Sequence, residues 1–158
     1  MQIEFREGLP QPTDYSNDID KKKLLVLDDL MRESSSCDVI LDLFTKGSHH
    51  KNISVIFITQ NIFHKGKSQR DISLNTKYLV IFKNPRDRAQ IQHLARQVYP
   101  EDPRFLQEAY IDATRSPHSY LFLDLSQDTS DEFRVRGCIF PTDAVNYVYV
   151  PKYLKHPR

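Results

Sequence analysis

Lys23-Leu-Leu-Val-Leu-Asp-Asp29 is the stretch that decides how this chain is interpreted, because four consecutive aliphatic residues end in two adjacent carboxylates. A strand in the middle of a parallel sheet has such a continuous apolar run, since helices cover both of its faces. Ligands of open α/β sheets bind at the carboxyl ends of the strands. The stretch therefore predicts a central strand, buried on both faces, that presents two acids at a ligand-binding edge.

Two acids in this position are typical of the Walker B motif of P-loop nucleoside triphosphatases. In that motif the first carboxylate holds the Mg²⁺ that bridges the phosphates, and the next acid polarises the attacking water. Asp28 is then the predicted Mg²⁺ ligand and Asp29 the predicted base. The alternative for Asp29 is a helix N-cap, because Asp is a favoured N-cap residue and a helix is predicted to start near Leu30.

Length and composition limit the classes of protein to which the chain can belong. At 158 residues the chain is about one domain long, and its formal charge of +1 does not indicate nucleic-acid binding through bulk electrostatics. Its two cysteines, Cys37 and Cys138, lie far apart, and no secretory leader or membrane-length apolar run is present. These features predict an intracellular protein of the cytoplasm or nucleus that is neither secreted nor embedded in a membrane.

Further strands and helices alternate along the chain. Residues 53–60 and 78–82 are apolar runs rich in β-branched and aromatic residues, which predict two more buried strands in the same sheet. Helices are predicted after the first strand as far as Gly47, over 85–98, and around 105–114. The order of elements predicts an α/β fold with a mainly parallel sheet flanked by helices.

Shorter strands are predicted at the two ends of the chain. Residues 1–5 alternate polar and apolar side chains, which predicts a short edge strand followed by a loop. Residues 120–125 and 133–140 flank a polar turn and predict a C-terminal β-hairpin at the sheet edge, and residues 148–151 predict a further extended segment. We see no internal repeat.

Polar residues also end the second predicted strand. Gln60 is its last residue and Asn61 follows, and an amide there can hydrogen-bond a γ phosphate or the attacking water. The alternative is a Gln-Asn pair that satisfies exposed loop backbone. Because an Asp-Asp strand precedes the pair, a phosphate-sensing role is favoured.

Five motifs occur in a specific order: Leu24-Leu-Val-Leu-Asp-Asp29, Gly47-Ser-His-His-Lys-Asn-Ile-Ser54, Val55-Ile-Phe-Ile-Thr-Gln-Asn61, Arg70-Asp-Ile-Ser-Leu-Asn75 and Asn84-Pro-Arg-Asp87. Together they resemble the genome-packaging ATPases of DNA viruses and of Maverick (Polinton) transposons, in the FtsK-HerA branch of P-loop motors. The resemblance extends from about Ile3 to Lys152. It implies a homo-oligomeric ring that uses ATP and Mg²⁺ to drive double-stranded DNA into a capsid, with capsid or portal components as partners.

The resemblance also assigns roles to single residues. Asp28 and Asp29 align with the Walker B acids and Gln60 with the strand-end Gln. Asn61, beside Gln60, is a candidate nucleotide-binding residue. Arg70 resembles the arginine finger that reaches the nucleotide of a neighbouring subunit, because a guanidinium offers a rigid fork of donors to phosphate charge. Arg86 also follows a strand end and is the competing nucleotide-binding arginine. A surface salt bridge is the alternative for both arginines.

The adjacent residues His49, His50 and Lys51 precede the second predicted strand. Consecutive side chains diverge and no third ligand has metal-site spacing, so a zinc site is not predicted. In the family that the chain resembles, a basic residue and a His occupy this loop. Contact of His49, His50 and Lys51 with DNA phosphate or a neighbouring subunit is therefore one expectation, and a solvated loop is the other.

A functional P-loop requires G-x-x-x-x-G-K-[ST], whose backbone N–H groups hold the phosphates. The sequence has only four glycines and no such motif. The nearest stretch, Asn61-Ile-Phe-His-Lys-Gly-Lys-Ser68, has Asn in place of the first Gly and leaves no room for the long helix that should follow. We therefore expect residues 1–151 to be a partial P-loop ATPase domain lacking the Walker A strand and helix, and 152–158 to be a basic tail.

Three functions follow from these expectations. The first is the C-terminal portion of a packaging ATPase, which binds no nucleotide tightly and has no measurable ATPase activity by itself. The second is a catalytically dead ring subunit or binding module that contributes Arg70 in trans. The third is a metal-dependent nuclease that uses Asp28 and Asp29, although no convincing cluster of acidic and Lys residues recurs at other strand ends.

Overall fold

The chain divides into two compact units, Met1–Thr76 and Lys77–Arg158, and each unit has its own sheet. The computed structural model describes residues 3–11, 22–28, 36–47, 52–61, 72 and 74–152. Within these ranges no helix is both long and apolar enough to cross a membrane. The fold is mixed α/β, as the alternation of predicted strands and helices indicates.

The first unit contains two parallel strands, β1 (Lys23–Asp28) and β2 (Ile53–Ile58). Between them lies helix α1 (Ser36–Asp42), which continues as a π-helical turn (Leu43–Gly47). A parallel pair needs a crossover of this kind, because the chain must return to the end of the sheet where β1 began. The predicted strands and the predicted end of the helix at Gly47 are confirmed.

Only one face of this two-stranded sheet is covered by described residues. Burial alternates along β1, with Leu27 5% exposed and Val26 55% exposed. The covered face carries a core of four buried side chains: Leu27, Ile40, Leu43 and Ile72. The prediction of a strand buried on both faces is therefore wrong for the described part of the chain, because the helical run packs on one side only.

The second unit contains a four-stranded antiparallel sheet in the order β3-β4-β5-β6. Its elements, in chain order, are β3 (Tyr78–Phe82), α2 (Ala89–Val98), α3 (Pro103–Ala113), β4 (Tyr120–Asp124), a 3₁₀ turn (Asp131–Phe133), β5 (Val135–Gly137) and β6 (Tyr147–Tyr149). The β4–β5 hairpin and the later extended segment are confirmed. The hairpin does not form the sheet edge, however, because β3 and β6 are the outer strands.

The larger sheet corrects the expectation of one mainly parallel sheet. β3 pairs with β4 in the antiparallel direction, and it belongs to a different sheet from β1 and β2. The reason is the number of helices in each connection. Two helices lie between β3 and β4, so the chain crosses twice and re-enters the sheet at the end where it left, which reverses the strand direction.

One face of the second sheet packs against α3, which contacts β4 and β5. Leu121, Leu123 and Val135 are fully buried there, as is Leu106 on the helix. The opposite face carries large apolar side chains that stay about half exposed: Tyr78, Val80 and Phe82. The core of this unit therefore lies on the helical side of its sheet.

Local sequence determines where α3 begins. Asp102 Oδ1 accepts a hydrogen bond from Phe105 N–H at 3.4 Å, and Pro103 occupies the first helical turn. Both are favoured in these positions, since the first N–H groups of a helix have no partner within it. This helix extends the predicted range by only two residues at its N-terminus.

Two of the predicted boundaries are wrong. Residues 3–10 form no regular strand, and Phe5 is 92% exposed, so nothing in the described chain pairs with this segment. Helix α2 begins at Ala89 rather than at Pro85. The intervening residues form a turn whose hydrogen bonds use the Asn84 and Asp87 side chains.

Candidate functional site

The parallel pairing of β1 and β2 brings two sequence-predicted site residues to the same edge. Asp28, the last residue of β1, lies opposite Ile58, the last residue of β2. Gln60 follows Ile58 after one intervening residue. The carboxyl ends of parallel strands meet at one edge of a sheet, so the carboxylate and the amide belong to a single strand-end region.

A side-chain turn shapes the chain directly after β2. The Thr59 hydroxyl donates a hydrogen bond to the Asn61 carbonyl oxygen at 3.2 Å, and the Asn61 N–H donates to Thr59 Oγ1 at 3.3 Å. A Ser or Thr hydroxyl commonly organises a turn in this way. Gln60 lies at the tip of this turn, where its side chain is exposed.

Asp28 shares its sheet face with exposed aliphatic side chains. Leu24, Val26, Ile56 and Ile58 are each about half exposed on this open face. Asp28 is itself exposed at the end of β1. An exposed carboxylate beside apolar side chains is accessible to a ligand that approaches from this face.

Several residues predicted for the site lie outside the described residues: Asp29, His49, His50, Lys51 and Arg70.

Arg86 lies in the second unit, in the turn that follows β3. Asn84 Oδ1 accepts hydrogen bonds from the backbone N–H groups of Arg86 and Asp87, at 3.1 and 3.3 Å. Asp87 in turn accepts from the Ala89 N–H at 3.1 Å, at the start of α2. These contacts give Asn84 and Asp87 structural roles and leave the Arg86 side chain exposed.

The donors near Asp28 fit one kind of metal ion. Within the described ranges, no group of three or more His, Cys, Asp or Glu converges as a metal site. Mg²⁺ that accompanies a nucleotide needs only one or two protein carboxylates, because phosphates and water supply its other ligands. Asp28 fits such a shared ion, whereas the described residues do not fit a dedicated, all-protein metal site.

A second strand-end aspartate was not singled out by the sequence reasoning. Asp124, the last residue of β4, is buried and accepts hydrogen bonds from the hydroxyls of Ser126 at 2.6 Å and Thr129 at 2.9 Å. Arg136 donates to the same carboxylate at 2.7 Å. The signal that marked Asp28, an acid closing an apolar run, is also present in Tyr120-Leu-Phe-Leu-Asp124.

The surroundings of Asp124 show what this carboxylate does. Burial raises the pKa of Asp124, but hydrogen bonds from Ser126 and Thr129 and the charge of Arg136 outweigh burial and hold that pKa below its ordinary value. A carboxylate that accepts this many donors is fully engaged within the protein. Asp124 therefore organises the β4–β5 connection and has no capacity left for a metal ion.

No family model, no curated protein and no solved structure matches this chain.

Proposed function

We propose that this chain carries the magnesium-binding and phosphate-sensing part of an ATP-driven DNA-packaging motor, the class of protein that its motifs resemble. The observation that supports the proposal is the register of β1 and β2. That register brings the ends of the two strands, and with them Asp28 and Gln60, to one edge of a parallel sheet. Such an edge is where α/β nucleotide-binding proteins place their ligands.

Asp28 and Gln60 have different roles in this site. Asp28 contributes one carboxylate to a Mg²⁺ ion whose other ligands are phosphate oxygens and water. The Gln60 amide has both a donor and an acceptor, so it can contact a phosphate oxygen and orient a water molecule at once. When bound, Mg²⁺–ATP supplies the phosphoryl group and neutralises the charge that develops during its transfer.

The proposal assigns only part of an active site to this chain. No phosphate-binding loop of the Walker A type occurs in its 158 residues. In the complete motor such a loop holds the phosphates, a neighbouring subunit's Arg70 reaches them, and the ring moves double-stranded DNA into a capsid. The chain by itself is expected to show no ATP hydrolysis, and Mg²⁺-dependent turnover that Asp28→Asn abolishes would overturn this expectation.

Paramagnetic broadening tests the strand-end site directly, because it detects weak binding. Mn²⁺ replaces Mg²⁺, and amide NMR signals of the full chain are recorded with Mn²⁺ alone and with Mn²⁺ plus millimolar ATP. We expect ATP-dependent broadening centred on the amides of residues 26–28 and 59–61. Asp28→Asn should reduce it several-fold, because the variant lacks the shared carboxylate ligand.

Asp42→Asn is the matched control, since Asp42 is another exposed aspartate of the first unit, at the end of α1. This variant should leave the broadening at residues 26–28 and 59–61 unchanged. Equal broadening near all exposed carboxylates, or none at the β1–β2 edge, would contradict the proposal.

A mixed-ring experiment separates an active half-site from a catalytically dead subunit. The chain is combined with a family member that carries the phosphate loop, and ring formation is followed by native mass spectrometry. ATP hydrolysis by mixed rings that depends on Asp28 of this chain would support the half-site. Hydrolysis that depends on Arg70 but not on Asp28 would instead identify a dead subunit that supplies only an arginine finger.

A further inference from the structure

A cleft of about 450 Å³ opens in the second unit where β3 ends. Phe82 and Lys83 form one wall, and the segment 115–119 that leads into β4 forms the other. The volume lies within the range of about 300–1,000 Å³ that is usual for small-ligand sites. This cleft involves none of the residues assigned above to the nucleotide site.

The titratable side chains that line the cleft, Lys83, Arg115 and His118, are all basic. Lys83 and His118 form no ion pair with any residue in the described ranges. Arg115 is bonded to Asp112 at 3.1 Å, but its side chain is 79% exposed, so other guanidinium donors face solvent. Ser116 and Ser119 lie on the same wall. The Lys83 ammonium and the Arg115 guanidinium suit an anionic ligand such as a phosphate group.

A short turn orders the wall formed by 115–119. The Ser119 N–H and hydroxyl both donate to the Ser116 carbonyl oxygen, at 3.3 and 2.7 Å. His118 within this turn has φ 63°, a left-handed conformation that is uncommon for a residue other than glycine. Because such a conformation persists only where the surroundings hold it, the wall is preorganised around its histidine.

Exposed aromatic rings continue from the basic cleft along the open face of the sheet. Phe82 is 57% exposed and its ring centre lies 5.9 Å from that of Tyr120. The ring centre of Phe140, a residue that is 56% exposed, lies 5.7 Å from that of Tyr120. Rings placed beside cations form the usual platform for nucleic-acid bases, because bases stack on the rings while the cations bind the backbone.

We propose that this cleft, together with the neighbouring rings of Phe82, Tyr120 and Phe140, binds the nucleotide units of a single-stranded nucleic acid. A base stacks on Phe82, and the adjoining phosphate contacts Lys83 and Arg115. A duplex does not satisfy the site, because its bases are already stacked on each other and their faces are closed. The shared chemistry, an aromatic base joined to a phosphate, also occurs in free nucleotides.

Fluorescence anisotropy of a labelled ten-nucleotide oligo-dT strand with the full chain at low salt tests this site. Phe82→Leu keeps an apolar side chain but removes the ring, and it should weaken binding about tenfold, which lies within the range expected for the loss of one stacked base. The double variant Lys83→Gln/Arg115→Gln should reduce the slope of log affinity against log salt by roughly 0.7 for each phosphate that no longer has a cationic partner.

Two exposed residues of the second unit serve as matched controls: Phe133→Leu for the ring and Arg104→Gln for the charge. Both should leave the affinity unchanged. Competition with dTMP and with inorganic phosphate distinguishes a nucleic-acid strand from a free nucleotide as the ligand. Displacement of the strand by dTMP at equal concentration would identify a free nucleotide as the ligand of the same site. Failure to bind the strand and dTMP alike, preference for duplex, or an unchanged affinity in Phe82→Leu would overturn the proposal.

Discussion

The Arg136 guanidinium donates a hydrogen bond to Asp124 Oδ2 over 2.7 Å, and this bond joins β4 to β5 on the open face of the second sheet. The Asp124 side chain is 7% exposed and the Arg136 side chain 32% exposed. The guanidinium carbon also lies 4.9 Å from the centre of the Phe122 ring. The pair is thus partly removed from water, and removing one partner leaves the other without its counter-charge.

Asp124→Asn should lower the free energy of unfolding at pH 7 by roughly 2–3 kcal/mol, somewhat less than removal of a fully buried partner, because part of Arg136 is exposed. Urea denaturation measures this change. Asp128→Asn, in the exposed connection that follows β4, is the control and should change the free energy of unfolding little. Equal effects of the two substitutions would show that the Arg136 contact contributes nothing specific.

The same carboxylate gives stability a dependence on acid pH. The pKa of Asp124 lies below its ordinary value of 3.8 in the folded chain, so the unfolded chain binds the proton more readily. The stabilisation is complete above the ordinary pKa and is lost as pH falls through the lower folded pKa. The decline of the unfolding free energy below about pH 4 should therefore be shallower in Asp124→Asn than in the unsubstituted chain.

Tyr149 makes stability depend on pH in the alkaline range as well. Burial, followed by the hydrogen bond that its hydroxyl donates to Asp112 at 3.0 Å, raises the pKa of Tyr149 from 10.0 to about 12. Because the folded pKa is the higher one, the stabilisation is complete below pH 10 and is lost as pH rises towards 12. In ultraviolet difference titration, Tyr149→Phe should remove a tyrosinate step near pH 12. Tyr147→Phe is the control, and disappearance of a step near pH 12 in that variant alone would contradict the assignment.

Tyr110 connects helix α3 to the chain that leaves β3. Its hydroxyl accepts a hydrogen bond from the Asn84 N–H at 2.9 Å and donates to the Phe82 carbonyl oxygen at 3.4 Å. Tyr110→Phe should lower the free energy of unfolding by about 1 kcal/mol and speed hydrogen exchange at the Asn84 amide. NMR exchange rates check the second effect. If the Asn84 amide exchanges at the same rate in both proteins, the hydroxyl does not hold this turn.

Two leucines of β1 test which face of the first sheet is covered. Leu27 is 5% exposed and Leu24 59% exposed, although they lie in one strand. Leu27→Ala should cost roughly 2–5 kcal/mol of unfolding free energy, because it leaves a cavity beside Ile40 and Leu43. Leu24→Ala should cost less than about 1 kcal/mol. Urea denaturation of both variants measures the difference, and comparable costs would mean that the second face of the strand is also buried.

Sequence reasoning located the strands well, because apolar runs such as 53–60 and 78–82 are visible without knowledge of their partners. It placed β3 in one parallel sheet with β1 and β2, because an apolar run does not show which strand it pairs with or in which direction. The two predicted helices between residues 85 and 114 were sufficient to predict that β4 runs antiparallel to β3, since each helix reverses the course of the chain. Burial on both faces was inferred from the continuous apolar run of β1 alone, and such a run does not reveal whether a helix covers the second face.

The candidate sites differ in how much sequence could reveal. Asp28 and Gln60 were predictable because each lies at the end of an apolar run, and parallel pairing then brought the two strand ends together. The cleft beside Phe82 was not predictable, because Arg115 and His118 reach it only after two helices return the chain to β4. The engagement of Asp124 was equally hidden, because Arg136 belongs to the next strand.

The connection between β3 and β4 also determines the order in which the second unit assembles. The β4–β5 and β5–β6 pairs join neighbouring stretches of chain, whereas β3 meets β4 only across the whole of α2 and α3. Closing that long loop costs entropy before any contact repays it. The β4–β5–β6 meander and the α2–α3 pair are therefore expected to form early, and docking of β3 to be the slow step of folding.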